Sequence, residues 1–354
     1  MTGILREGGP HNVRQVGTNQ HELSVSLPKK VDGYLGRECP KEQCAPAYFQ
    51  VKPGTGLSGQ PVAYCAYCRT EDSPQAFATA EQVRYAKDHA VQEAMNGVDD
   101  LLRTSLGLDS SGRRRFGGGL LSIEVSPETS PASPIAAPFE EELRRDVQCP
   151  ACTLDHAVFG LATWCPDCGA DIFLVHLHAE ANIIRRILTA VPDRHATLGA
   201  RVAARDVENA LEDAVSIFEA GLKSTTRRWL ATQGQSPQEI EAILATRIRN
   251  GFQNPDRAAD LYNGTIGRDL FVGVTSAERM ELVDTFAKRH PITHNLGVID
   301  RQYLARARTG HLEGREIRVS PTEVDHALIL THKIVTTAYQ TLFFNALTPL
   351  GAAQ

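Results

Sequence analysis

Two groups of residues in this chain have types and spacings that can do chemistry, and the first is its eight cysteines. Cys149 and Cys152 have two residues between them, as do Cys165 and Cys168, with twelve residues between the pairs. A two-residue spacing lets both thiolates of a knuckle point at one ion, and two knuckles complete a tetrahedron. Pro150 and Pro166 follow the first cysteine of each pair and Gly169 follows the last, which suits tight turns. Cys39 and Cys44 have four residues between them, then twenty residues lead to Cys65 and Cys68. Tyr48 to Val51 reads as a strand between these pairs, and Pro53 to Gly56 as a turn. The pattern predicts two structural zinc ions per chain, bound by Cys39, Cys44, Cys65 and Cys68 and by Cys149, Cys152, Cys165 and Cys168. Four thiolates leave no open position for water, so both sites should staple small modules rather than catalyse.

The second group runs from Lys288 to Asn295 and contains Arg289, His290 and His294. Arg289 offers a fixed cation whose planar donor fork suits a phosphate. His294 offers a proton acceptor or donor that titrates near neutrality. Together they can cleave a phosphodiester without a metal. The base takes the ribose 2′-hydroxyl proton and the cation steadies charge on the phosphorus oxygens. On a straight helix, residues five apart point about 140° apart, whereas His290 and His294 share a face. Pro291 predicts a kink or a helix end that brings Arg289 and His294 round one pocket. Two other readings of the same residues stand beside this one. In one the histidines are satisfied by helical neighbours and Arg289 is solvated. In the other His290 and His294 supply half of a metal site, although no Glu follows His290.

The elements that must position these residues can be read along the 354-residue chain. With 42% hydrophobic and 22% charged residues the composition is that of an ordinary soluble protein, long enough for two or three domains. A net charge of −5 gives no global pull toward nucleic acid, so such binding would need a local patch. No apolar run is long enough for a membrane span, and Met1 to Gly17 is too polar for a signal peptide. These features predict a cytoplasmic protein with reduced thiols.

The first ribbon occupies 1–78, and a helix over 79–108 opens at a Thr79/Gln82 capping box. Its apolar positions Val83, Ala86, Ala90, Val91, Ala94, Val98 and Leu101 recur at helical spacing. Residues 109–140 are rich in Pro, Gly and Ser and predict a partly mobile linker, with Arg113, Arg114 and Arg115 as a solvated charge run. The second ribbon occupies 141–170, and 171–354 reads as a bundle of helices. The fold class is therefore mainly α: two small four-Cys zinc ribbons followed by a C-terminal helical bundle. Helices are predicted near 173–190 and 200–232, with others opened by Ser236/Glu239, Thr275/Glu278 and Ser320/Glu323.

Arg289, four residues, then His294 matches the Arg-x4-6-His signature of the HEPN superfamily, with polar His290 directly after the Arg. The stretch from Phe286 to Leu304, including Asn295, Gly297 to Asp300 and Tyr303, resembles bacterial HEPN proteins, and the likeness extends over 171–347. The resemblance implies an all-helical fold and a homodimer, or an assembly of dimers, with the motifs paired at a shared interface. It also implies metal-independent cleavage of an RNA substrate by Arg289 and His294, with His290 and Asn295 in support. Many HEPN proteins are toxins or antiphage effectors, and some are inactive binding modules.

The leading expectation is a HEPN endoribonuclease whose ribbons recognise a trigger, a partner protein or the nucleic acid. The alternative is a non-catalytic zinc-ribbon adaptor with a helical dimerisation domain. A third reading, a DNA-binding regulator, finds few basic residues in the ribbons beyond Arg37, Lys41, Lys52 and Arg69.

Overall fold

The computed structural model describes residues 8, 11–18, 20–28, 31–107, 114–116, 123–125, 134–139, 145–305, 307 and 310–344. A short hairpin, β1 (Arg14–Gly17) and β2 (Gln20–Glu22), precedes the ribbons. Strands β3 (Leu35–Glu38) and β4 (Tyr48–Val51) belong to the first ribbon, and β5 (Ala63–Tyr64) and β6 (Glu71–Asp72) form the hairpin that carries Cys65 and Cys68.

Helix α1 (Ala80–Leu106) follows, opened by the predicted Thr79/Gln82 box and closed by Gly107 at φ 60°. The Gln82 side chain does a second job, donating to the carbonyl of Gly36 at 2.8 Å and tying the helix to β3. Most of the predicted linker lies outside the described residues, which include there a hairpin of β7 (Arg114–Phe116) and β8 (Ile123–Val125).

The second ribbon contributes β9 (Arg145–Gln148) and β10 (Asp155–Val158). The two ribbons share one antiparallel sheet of order β3-β4-β10-β9, with His156 opposite Val51 on one side and Val147 on the other. The reason is core size. Phe49, Phe77, Val147, Leu154, Val158 and Ile172 are too few to bury two separate modules, but joined they enclose one core with the cysteines around it.

The helical part comprises α2 (Phe173–Leu198), α3 (Ala200–Thr232), α4 (Pro237–Ala242), α5 (Pro255–Ile266), α6 (Ser276–Ala287), α7 (Arg289–Asn295), α8 (Arg301–Leu304) and α9 (Pro321–Phe343). All four predicted capping boxes form. The α3 stripe Val207, Ala210, Leu211, Ala214, Val215, Phe218 and Leu222 is buried against α2 and α9. Gly221 lets α3 approach α9 closely, since a Cβ there would lie 2.7 Å from Val335 Cγ1.

Ribbons and bundle meet at Arg228. Its guanidinium pairs with Asp171 at 2.5 Å, contacts the Tyr339 hydroxyl, and lies 4.5 Å over the Trp164 ring and 4.1 Å over Phe343. Arg69 of the first ribbon covers the same indole at 4.8 Å. Among the described residues, no helix is long and apolar enough to cross a membrane.

Candidate metal centres and the helix α7 motif

The structure gathers the cysteines into the two predicted quartets, and all eight are free thiols. Within each quartet the Sγ atoms lie within 4.8 Å of one another. Representative separations are 3.6 Å for Cys39–Cys68, 3.7 Å for Cys44–Cys65, 3.7 Å for Cys149–Cys168 and 3.5 Å for Cys152–Cys165. Each quartet can therefore hold one metal ion.

Local backbone geometry explains why these spacings close. In three of the four pairs the residue after the second cysteine is left-handed: Arg69 at φ 62°, Thr153 at 62° and Gly169 at 65°. That turn lets its amide bond back to the carbonyl of the first cysteine, at 3.1 Å, 2.9 Å and 3.0 Å respectively. Sequence reading singled out Gly169 alone, because Arg and Thr do not advertise a left-handed conformation.

The motif helix is arranged differently from the expectation. A break does occur, but at Lys288, upstream of Arg289, and α7 begins at Arg289. Pro291 thus sits in the first turn of a new helix, where its missing N–H removes no helical bond. Lys288 is buried at the break, and its ammonium reaches the Arg318 carbonyl at 3.1 Å and Glu323 at 2.5 Å. Arg289 and His294 remain on one helix with no bend between them to turn one toward the other.

Their surroundings differ accordingly. Arg289 Nη1 donates to Gln253 Oε1 at 2.8 Å, and Gln253 Nε2 donates to Glu219 at 2.7 Å, which is paired with Lys223. His290 and His294 stand together, ring centroids 5.0 Å apart. Asp300 joins them, its carboxylate 3.6 Å from His290 Nε2 and accepting from Asn295 Nδ2 at 2.6 Å. The Tyr303 amide caps the other Asp300 oxygen at 2.7 Å, and this bond first, then Asn295 and His290, holds the carboxyl below its ordinary range. Thr293 donates to Glu212 at 2.6 Å and so ties α7 to α3.

The structure therefore brings His290, His294, Asn295 and Asp300 together and holds Arg289 apart from them. Gln253, Glu219 and Glu212 were missed by sequence reading. Gln253 and Glu212 lie 36 and 81 positions from their α7 partners Arg289 and Thr293, Glu219 reaches α7 only through Gln253, and nothing local marks them.

The end of α7 is unusual. Leu296 adopts a left-handed conformation, φ 53°, and is 80% exposed, and Val298 two positions on is also exposed. Gly297 and Ile299 are zipped to Ile317 and Arg315 by backbone bonds at 2.7 and 2.8 Å, which fixes the loop that presents these apolar groups.

No known protein family, curated protein or solved structure matches this chain.

Proposed function

We propose that this chain is a HEPN-type, metal-independent endoribonuclease acting as a homodimer or an assembly of dimers. The observation that carries the reading is the half-buried His290–Asn295–Asp300 cluster with exposed His294 beside it, flanked by exposed Leu296 and Val298. Two such surfaces meeting across a twofold axis bury the apolar rim and bring two sets of motif residues round one phosphate. His294 then removes the proton from a ribose 2′-hydroxyl, and the oxygen attacks phosphorus. Arg289 stabilises the charge on the phosphoryl oxygens, and the 5′-oxygen leaves, taking up a proton from water. The products are a 2′,3′-cyclic phosphate and a free 5′-hydroxyl.

The metal in both quartets is zinc on this reading. A Zn–S bond of about 2.3 Å gives tetrahedral S···S edges of about 3.8 Å, close to the 3.5–3.7 Å separations between thiols here. The zinc module serves recognition of a trigger or partner protein, which suits a cytoplasmic defence or toxin effector held inactive until needed.

The test is incubation of purified protein with RNA and mass spectrometry of the termini. Cyclic phosphate ends that survive EDTA and vanish in both Arg289→Ala and His294→Ala support the reading. Equal cleavage by parent and variants sinks it. The bond from Arg289 to Gln253 favours a second reading, in which Arg289 is structural and the chain is a zinc-ribbon adaptor. In that case no RNA is cut.

A further inference from the structure

Helix α1 carries two apolar faces. On one side Gln82, Ala86 and Ala90 line a cleft with Leu23, Val25 and Leu27 of the segment that follows β2. On the other side Val91, Met95, Val98, Leu102 and Leu106 are all 41–66% exposed. At about 100° per residue the first four of these fall within about 60° of one another, about 120° round the helix from the middle of the cleft-lining set, which also includes Val83 and, at its edge, Lys87. Single exposed apolar residues need no explanation, but a contiguous row of five on one helix marks an interaction surface.

The spacing says what kind of surface it is. Val91, Met95, Val98 and Leu102 are separated by four, three and four residues, an alternation that fits a coiled-coil seam over about two heptads. Met95 and Leu102 take one core position of the heptad, and Val91 and Val98 the other. The flanking positions fit a copy of the same helix. In a parallel pair, Lys87 faces Gln92 of the second copy, Ala94 faces Asp99, and Leu101 faces Leu106. No like charges oppose one another, and the last pair adds apolar contact. Asp88 occupies the core position one heptad before Met95. Two such carboxylates would face each other, so the seam begins after it.

We infer that α1 pairs with α1 of a second copy of this chain as a short parallel coiled coil. The pairing stands apart from the ribonuclease reading, because it concerns neither α7 nor RNA.

The experiment is sedimentation of the full chain at micromolar concentration, with metal content and helicity checked for every variant. The parent should associate. Met95→Glu combined with Val98→Asp should weaken association about tenfold or more, with fold and metal content unchanged, because two charges would lie in the seam. Asp88→Leu should tighten association by extending the seam one turn and removing two facing carboxylates. A monomeric parent, or an α1 double variant that associates as the parent does, overturns the inference. An Asp88→Leu variant no tighter than the parent overturns the parallel register. Leu296→Asp is the control: dissociation by this change, with no effect of the α1 changes, places the interface at α7 and also overturns the inference. Loss of RNA cleavage with unaltered association bears only on the ribonuclease reading.

Discussion

The Arg228 guanidinium lies 4.5 Å over the indole of Trp164, so a bundle side chain and a ribbon side chain form one stacked unit beside Cys165. Asp171 and Tyr339 complete it, with the Tyr339 hydroxyl donating to Asp171 at 2.9 Å. Arg228→Ala leaves that carboxylate without its cation and should cost roughly 1–3 kcal/mol. Chemical denaturation measures this. In a Trp229→Phe background Trp164 alone reports, and its emission should shift in Arg228→Ala even under native conditions. An unchanged spectrum and midpoint would show that the stack contributes nothing.

Elemental analysis should find two metal ions per chain, falling to one in Cys165→Ser. Because β4 and β10 share a sheet, loss of the second ion should also loosen the first ribbon, seen as faster amide exchange at Phe49 and Gln50. Gly169→Ala is the milder probe. It forces a Cβ to 3.1 Å from the Tyr64 ring at φ 65° and should cost about 1–2 kcal/mol with weaker metal retention.

Gly221→Ala places a methyl against Val335 where α3 and α9 are already in contact. Helix propensity alone would favour Ala by about 1 kcal/mol, but overpacking should outweigh it and leave a net loss of about 1–2 kcal/mol. Gly221→Ala with Val335→Ala should recover most of the loss. A stabilised Gly221→Ala chain would mean that the helices separate freely.

His156 lies wholly inside the shared sheet, and burial first, with nearby His176 adding, pushes its imidazole down to about 4. Unfolded, the same group titrates near 6.5. A depressed folded pKa means that the unfolded chain binds the proton first. The contribution is complete above about pH 6.5 and is lost as pH falls toward 4, reaching about 2 kcal/mol of destabilisation by pH 5. Melting temperatures measured from pH 7 to pH 4.5 should therefore fall more steeply for the parent than for His156→Leu. Parallel curves would place the acid sensitivity elsewhere.

Much of this fold was legible because its signals are local. The Thr79, Ser236, Thr275 and Ser320 caps each sit three residues from their Gln or Glu partner, and α3 carries the expected stripe within the expected 200–232. The cysteine quartets followed from ligand spacing. What stayed hidden depends on long-range pairing. The β4–β10 ladder joins residues about a hundred positions apart, and Gln253 reaches Arg289 from a short turn with no pattern of its own. Pro291 signalled a break, but whether the helix stops before or after Arg289 was decided by burial of Lys288 between Arg318 and Glu323.

The β4–β10 ladder also bears on how the chain is made. Strand β4 leaves the ribosome long before β10, with α1 and the 109–140 stretch between them. During that interval the Cys39–Cys68 quartet can already close on a metal, while the β4 edge from Phe49 to Val51 has no partner. An unpaired edge is a template for wrong pairing. Slow translation through 109–140, or termination before Asp155, should therefore favour aggregation of nascent chains, and early metal loading alone would not prevent it.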